Sequence, residues 1–249
     1  MEKLLKPGRL IFAIGFLVLG ILCFLFKDFI VGRPPAWPTG FNVNPALGYV
    51  SGSLLVICAL TILINKKGSA AALLIAILIL MLSLSRSMPN FMADWANVYK
   101  SMALLGGALI VVASFLRESG DTVNKKWINI FVFIGTALVA AFFICGGYAH
   151  FKYGDFVDAL IPNYIPVHRF WTNLCGVCLF AGGVGILVPV IQKWVALFSG
   201  VMVAGWFLLL HIPRFIADTS NVSDTLGLCE SFTFVGIFFV LAGMFAKKK

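Results

Sequence analysis

Eight stretches of about 20 apolar residues divide this chain, at roughly 10–29, 47–64, 70–88, 100–117, 128–148, 171–189, 194–212 and 227–246. A helix of that length spans the hydrocarbon layer of a bilayer. Backbone amides in lipid find no water, so they must pair within a helix or a closed barrel. Barrel strands alternate apolar and polar residues, and these runs do not. The expected fold class is therefore an all-α integral membrane protein with eight transmembrane helices. Composition agrees, with 61% hydrophobic and 12% charged residues, where a soluble domain carries about 25% charge. The first run follows Lys3, Lys6 and Arg9 as a signal peptide would. No small-x-small cleavage site follows it, and Phe24, Phe26 and Phe29 stand there instead. It reads as a retained first helix.

The chain also says one thing twice. Pro89-Asn90-Phe91-Met92-Ala93-Asp94-Trp95-Ala96-Asn97-Val98 and Pro213-Arg214-Phe215-Ile216-Ala217-Asp218-Thr219-Ser220-Asn221-Val222 share six of ten residues at a shift of 124. Upstream, at the same shift, Gly52 falls on Gly176, and Ala72-Leu73 on Ala196-Leu197. A period of half the chain implies two copies of one unit, placed at residues 1–120 and 121–249. Four helices per copy is an even number, so the copies enter the membrane in the same direction. Such a parallel repeat is related by an axis along the membrane normal.

Charge orients the array. The termini and the loops after even-numbered helices carry twelve basic residues against three acidic ones, while the other face carries seven of each. By the positive-inside rule the basic face and both termini are cytoplasmic, as in a bacterial inner (cell) membrane. The excess of positive charge then reports topology and contact with the lipid bilayer. No basic stripe interleaved with aromatics points to nucleic acid.

The long connections lie on the opposite, outer face. Each has a Pro-x-x-x-Pro pattern, Pro34/Pro38 and Pro162/Pro166, with an aromatic residue, Trp37 or Tyr164. These read as non-helical covers at the lipid–water boundary. In the duplicated segment the proline, Pro89 or Pro213, is expected to stop its helix. Asp94/Asn97 and Asp218/Asn221 would start the next one by capping. Arg86 is expected to pair with Asp94 as a latch.

The outer helix ends collect the candidates for chemistry: His150, His211, Arg214, Asp218, Asn221 and Glu230. Histidine beside carboxylates relays protons, hydrogen-bonds a quinone carbonyl or ligates a metal. The plain alternative is a set of interfacial residues capping helices, and no metal-ligand spacing is present. Glu230 lies within Leu228-Cys229-Glu230-Ser231, about three residues inside helix 8, and its counterpart in the first copy is Gly106. An acid at that depth needs a partner, so it marks a function or snorkels to the boundary. His211, Arg214 and His150 are the expected partners. Cys175-Gly176-Val177-Cys178 has the spacing of a redox dithiol, but cysteine is also a common small apolar residue of helices. Gly176, Gly182, Gly183, Gly185, Gly200 and Gly205 suit close helix approach.

Several of these residues resemble the DoxX-like family of small membrane proteins. They are Gly146-Gly147-Tyr148-Ala149-His150-Phe151, the Phe156…Pro162…Pro166 cover, Gly176 with Gly182-Gly183-Val184-Gly185, and His211-Ile212-Pro213. The resemblance is clearer over about 128–245. It implies two fused four-helix units and an accessory role beside a membrane redox or respiratory partner. A quinone-linked oxidoreductase subunit is the alternative, with quinone as the cofactor and Glu230, His150 and His211 handling protons. The first copy departs from the pattern, with Phe26-Lys27-Asp28 and Ser87 in the histidine positions. A small-solute transporter is the third reading. It is disfavoured because the helix middles, such as Leu54–Leu63, are almost wholly apolar.

Overall fold

The computed structural model describes residues 1–32, 37, 44–92, 94–119 and 125–246. Among these, the ordered elements are helices and no strand is present. The long helices are α1 (Glu2–Phe26), α2 (Ala46–Leu63), α3 (Gly68–Ser87), α4 (Trp95–Ser119), α5 (Lys125–Lys152), α6 (His168–Gly185), α7 (Gln192–Ala217) and α8 (Val222–Phe245). A short cover helix, Gly154–Leu160, sits between α5 and α6. Seven of the eight are long and apolar enough to cross a membrane, and α6 is the exception. Its first two turns hold His168, Arg169 and Asn173, and it ends at Gly185 rather than running to 189. The chain turns through Ile186–Ile191 instead, ahead of and around Pro189. α4, α5 and α7 extend beyond both ends of their apolar runs because polar end-turns remain helical while reaching water, whereas α1 stops at Phe26, short of 29.

α1 packs on α2 and α8, α4 on α3 and α5, α5 on α6, and α8 on α7, while α4 and α8 also touch. Burial follows this order, with 72% of the central window of α8 and 67% of that of α4 inside the protein, against 17% for α7. Four of these interfaces are set by facing glycines: Gly20/Gly52, Gly8/Gly236, Gly106/Gly135 and Gly147/Gly176. A methyl group at Gly8, Gly52, Gly106, Gly135, Gly147 or Gly236 would lie 2.5–2.9 Å from the facing carbonyl oxygen. Without lipid-excluding pressure, such close backbone packing is the main source of helix adhesion. Gly205 is different, because nothing lies within 4 Å of the place a methyl would take. Near the chain termini, Arg9 of α1 donates to Ser114 of α4 (2.8 Å) and lies 3.9 Å over the Phe115 ring. Arg117 donates to the Met244 carbonyl at the end of α8 (2.7 Å).

The opposite, distal end departs from the expected symmetry. After α1, Lys27 takes a left-handed cap and the chain folds back into the bundle. Phe29 and Val31 are wholly buried. Each exposed backbone group finds a side chain: Arg86 donates to Phe29 O (3.1 Å), Ser83 to Val31 O (2.7 Å), and Gly32 N–H donates to Glu230 (2.9 Å). Irregular backbone survives inside a membrane bundle only when it is paired in this way. Gly32 has φ +83°, and a methyl there would strike the Ser101 hydroxyl at 2.2 Å. Arg86 pairs with Asp28 at 2.9 Å, not with Asp94. Trp37 belongs to the same knot. It donates to Asp28 (3.1 Å), and Arg86 lies 4.5 Å over its ring. The Pro34/Pro38 pattern lies outside the described residues, as do Ala93 of the duplicated segment and Lys247–Lys249 of the basic face.

Pro89 follows the end of α3 at Ser87 as expected, whereas Pro213 does not stop its helix. α7 runs through Pro213 to Ala217 after a π-helical stretch, Phe207–His211. α3 has a π stretch at Ile79–Leu84, and Pro89 falls in a 3₁₀ turn, Met88–Asn90. Proline cannot bond the carbonyl four residues back and crowds it, and widening the preceding turn relieves the clash. For Pro213 that carbonyl is Leu209, which accepts the Tyr164 hydroxyl. Asn221 caps α8 as expected, its side chain accepting from Ser223 and Asp224 N–H. At the other copy Asp94 precedes α4 and accepts from the Asn97 amide at 2.9 Å.

Removing the hydroxyl leaves the Leu209 carbonyl unpaired. Tyr164→Phe is expected to destabilise the protein by about 1–2 kcal/mol, read as a lower Tm in detergent. In a Pro213→Ala background, where the backbone can pair that carbonyl itself, the loss should largely vanish; an undiminished loss would rule the pairing out.

Candidate functional site

A cavity of about 370 Å3 lies among α5, α6, α7 and α8 at the distal end. Val157, Leu160 and Ile161 of the cover roof it. Its walls are mostly apolar and aromatic: Phe142 and Phe143 from α5, Trp171 from α6, Trp206 from α7 and Phe234 from α8. The polar groups on the wall are few. His150, His211, Thr172 and the Lys100–Glu230 pair supply them. Apolar cavities with a few placed polar groups are the usual form of a small-molecule site.

Glu230 is eight residues into α8, deeper than expected, and only 3% exposed. Its partners are not the residues expected. Lys100 Nζ of α4 lies 2.9 Å from one carboxylate oxygen, and the Gly32 N–H donates to the other at 2.9 Å. A buried carboxylate is tolerable when a cation and a hydrogen-bond donor both satisfy it. Glu230 thus joins α8, α4 and the folded-back segment, and forms part of the cavity wall as it does so.

The histidines reach the cavity by different means. His150, one turn from the end of α5, has Nδ1 2.7 Å from the Gly146 carbonyl. A carbonyl only accepts, so Nδ1 carries the proton and the neutral ring keeps Nε2 as an acceptor. His211 ends the π stretch of α7, and its ring faces Gly227, where a methyl would come within 3.2 Å of Nδ1. The first copy has Ser87 and Ala103 at these two places, both fully buried. The larger ring at 211 is matched by the smaller residue at 227.

Arg214 stands outside the cavity and fastens its roof. It donates to Leu160 O at the end of the cover helix (2.8 Å) and to Asp224 at the start of α8 (2.6 Å). Thr172 and Arg169 of α6 hold Asp158 of the cover helix at 2.5 and 2.9 Å. Asp218 is exposed in the α7–α8 turn and accepts from the Ser220 hydroxyl and N–H, which hold its carboxyl below the usual range. Asp218 and Asn221, like Pro89, Asp94 and Asn97, therefore stand at helix ends, while Pro213 lies within α7. The six cysteines are free; Cys175 lines the cavity, while Cys178 is exposed on the same helix. Among the described residues, no three His, Cys, Asp or Glu side chains are grouped to hold a metal ion.

Lys100 belongs to the polar set of the outer helix ends in the sequence but not to the expected partners of Glu230, and Gly32 and the two tryptophans do not stand out there. Lys100 had a signal, being the basic residue in the first turns of an apolar helix. Trp171 and Trp206 stand where the first copy has Leu47 and Leu82. Gly32 contributes only its backbone, which leaves no mark of chemistry in a sequence.

Lys100→Met should leave a buried carboxylate without its cation and cost about 3–5 kcal/mol, measured by thermal or denaturant unfolding. Adding Glu230→Gln should recover most of that loss, because a neutral amide still accepts from Gly32. A double variant no more stable than Lys100→Met would mean that the pair is not the coupling.

A family model described as Domain of unknown function (DUF8561) matches residues 139–215. That stretch takes in the cavity wall from Phe142 to His211, without α8 or Lys100. No curated protein and no solved structure matches the chain.

Proposed function

We propose that this chain is a DoxX-like membrane protein whose second half binds a small lipid-soluble ligand, of the quinone class, in the α5–α8 cavity. The observation that carries the reading is the cavity itself. Its walls are apolar and aromatic, and two imidazoles and a lysine–glutamate pair are the main polar features among them. A quinone ring matches this division, with a flat apolar body and a few hydrogen-bonding oxygens. His150, with its proton committed to Gly146, offers Nε2 as a hydrogen-bond acceptor to the hydroxyl of the reduced ring. The polar groups lie toward the distal end rather than at the middle of the spans. This favours a bound redox ligand over a transported solute.

In this reading the fold is two parallel four-helix repeats with eight spans and both termini cytoplasmic. The pairings support the repeat: α1 on α2 corresponds to α5 on α6, α3 on α4 to α7 on α8, and α4 on α5 to α8 on α1. α6 is counted as a span despite its weaker hydropathy because it packs along α5. The setting is a bacterial-type inner membrane, where the protein serves a redox or respiratory partner.

Titrating a short-chain benzoquinone should quench tryptophan fluorescence, since Trp171 and Trp206 line the cavity. His150→Ala and His211→Ala are each expected to weaken binding about tenfold, or ~1.4 kcal/mol. Unchanged affinity in both would remove the imidazoles from the site, and no binding by the wild type would sink the reading. The partner is tested by crosslinking at the distal face of the membrane-embedded protein. A reproducible redox-protein adduct is expected, and its absence counts against the accessory role.

A further inference from the structure

The cavity has a second side. A lipid-facing groove of about 400 Å3 runs between α6 and α7, and Trp171, Cys175, Met202 and Trp206 line both it and the cavity. One layer of side chains therefore separates the two spaces. On the groove side the lining is Leu174, Leu209 and Gly205, with the Tyr164–Pro166 part of the cover at its outer rim. Leu174 and Leu209 are 40% and 53% exposed, as suits residues that face hydrocarbon. Trp171 is pinned by its indole N–H to the Pro166 carbonyl (3.1 Å), and the Trp206 ring stands edge-on to it at 6.0 Å.

The repeat shows what is particular here. Gly205 corresponds to Met81 in the first copy, which projects outward with 63% exposure. The second copy has removed that side chain, and nothing in the protein occupies the space. The adjoining wall has changed too, from Leu47 and Leu82 to two tryptophans. An aromatic pair is a flat partition. A glycine beside it keeps the lipid side of the partition clear.

Resting on the cavity reading above, we infer that the α6–α7 groove carries the hydrocarbon tail of the ligand. The ligand is then a long-tailed amphiphile that enters from the bilayer, its head seated near His150 and His211 and its tail leaving past Trp171 and Trp206. Lipid solvates a tail as well as the groove does. The groove therefore gives the tail a way out and adds little affinity.

The test uses the full-length protein in detergent or lipid. A tail-less benzoquinone and the same ring bearing a long isoprenoid chain are titrated, with concentrations expressed per mole of amphiphile. Wild type should bind the two similarly. Gly205→Phe should weaken the tailed probe about tenfold and leave the tail-less probe unchanged. Gly205→Met, the residue of the first copy, should do the same more weakly and serves as the variant most certain to fold. Equal loss for both probes, or loss for neither, would overturn the groove assignment while leaving the cavity reading intact. Failure of both probes to bind wild type would overturn both readings, and binding of the tail-less ring alone would overturn the groove assignment only.

Discussion

Everything at the distal end depends on how the protein satisfies one stretch of backbone that is not helical. Phe29–Gly32 is folded into the bundle, where a peptide group without a partner would cost several kcal/mol. Its groups are distributed to three helices. Ser83 and Arg86 come from α3, Ser101 lies against Gly32 from α4, and Glu230 reaches across from α8. Glu230 then requires Lys100, and Arg86 requires Asp28. Two buried charges that would be liabilities alone become the means by which the segment is held. The same arrangement brings a carboxylate and an ammonium to the wall of the cavity in the other half.

The two halves answer one geometrical question in two ways. In the first half Leu19, Leu55, Ile79 and Ile110 are buried, and the chain after α1 folds inward. In the second half their counterparts are Phe143, Leu179, Val203 and Phe234, and the space stays open. The loop there becomes a helical lid instead, tied by Arg169, Thr172 and Arg214. Of the glycines that set helix interfaces, Gly52 and Gly176 correspond, while Gly106 corresponds to Glu230 of the cavity wall.

Membrane class and helix order were legible because apolar length is a property of composition along the chain. His150, His211 and Glu230 were legible because each is costly where it stands and absent from the other copy. The partner of Glu230 was not, since Lys100 is 130 positions away in the chain and no pattern within one helix encodes it. Pro213 misled for a local reason. A proline usually ends a helix, but in α7 the π turn and the Tyr164 hydroxyl absorb its lost hydrogen bond. A π turn also adds a residue to the cycle, so faces counted at α-helical spacing slip beyond it. That is why Arg214, grouped with the histidines in sequence, points to the roof.

The lid and the tryptophan partition give the cavity two boundaries of different physical kind. The lid is held largely by charge: the Arg169 side chain is 51% exposed and that of Asp155 98% exposed. Such contacts weaken as dissolved ions screen them over about 8–10 Å. The partition is held by ring contact within hydrocarbon, where dissolved ions have no access. Ionic strength therefore acts on the aqueous boundary alone. Thickness and lateral pressure of the lipid act on the other.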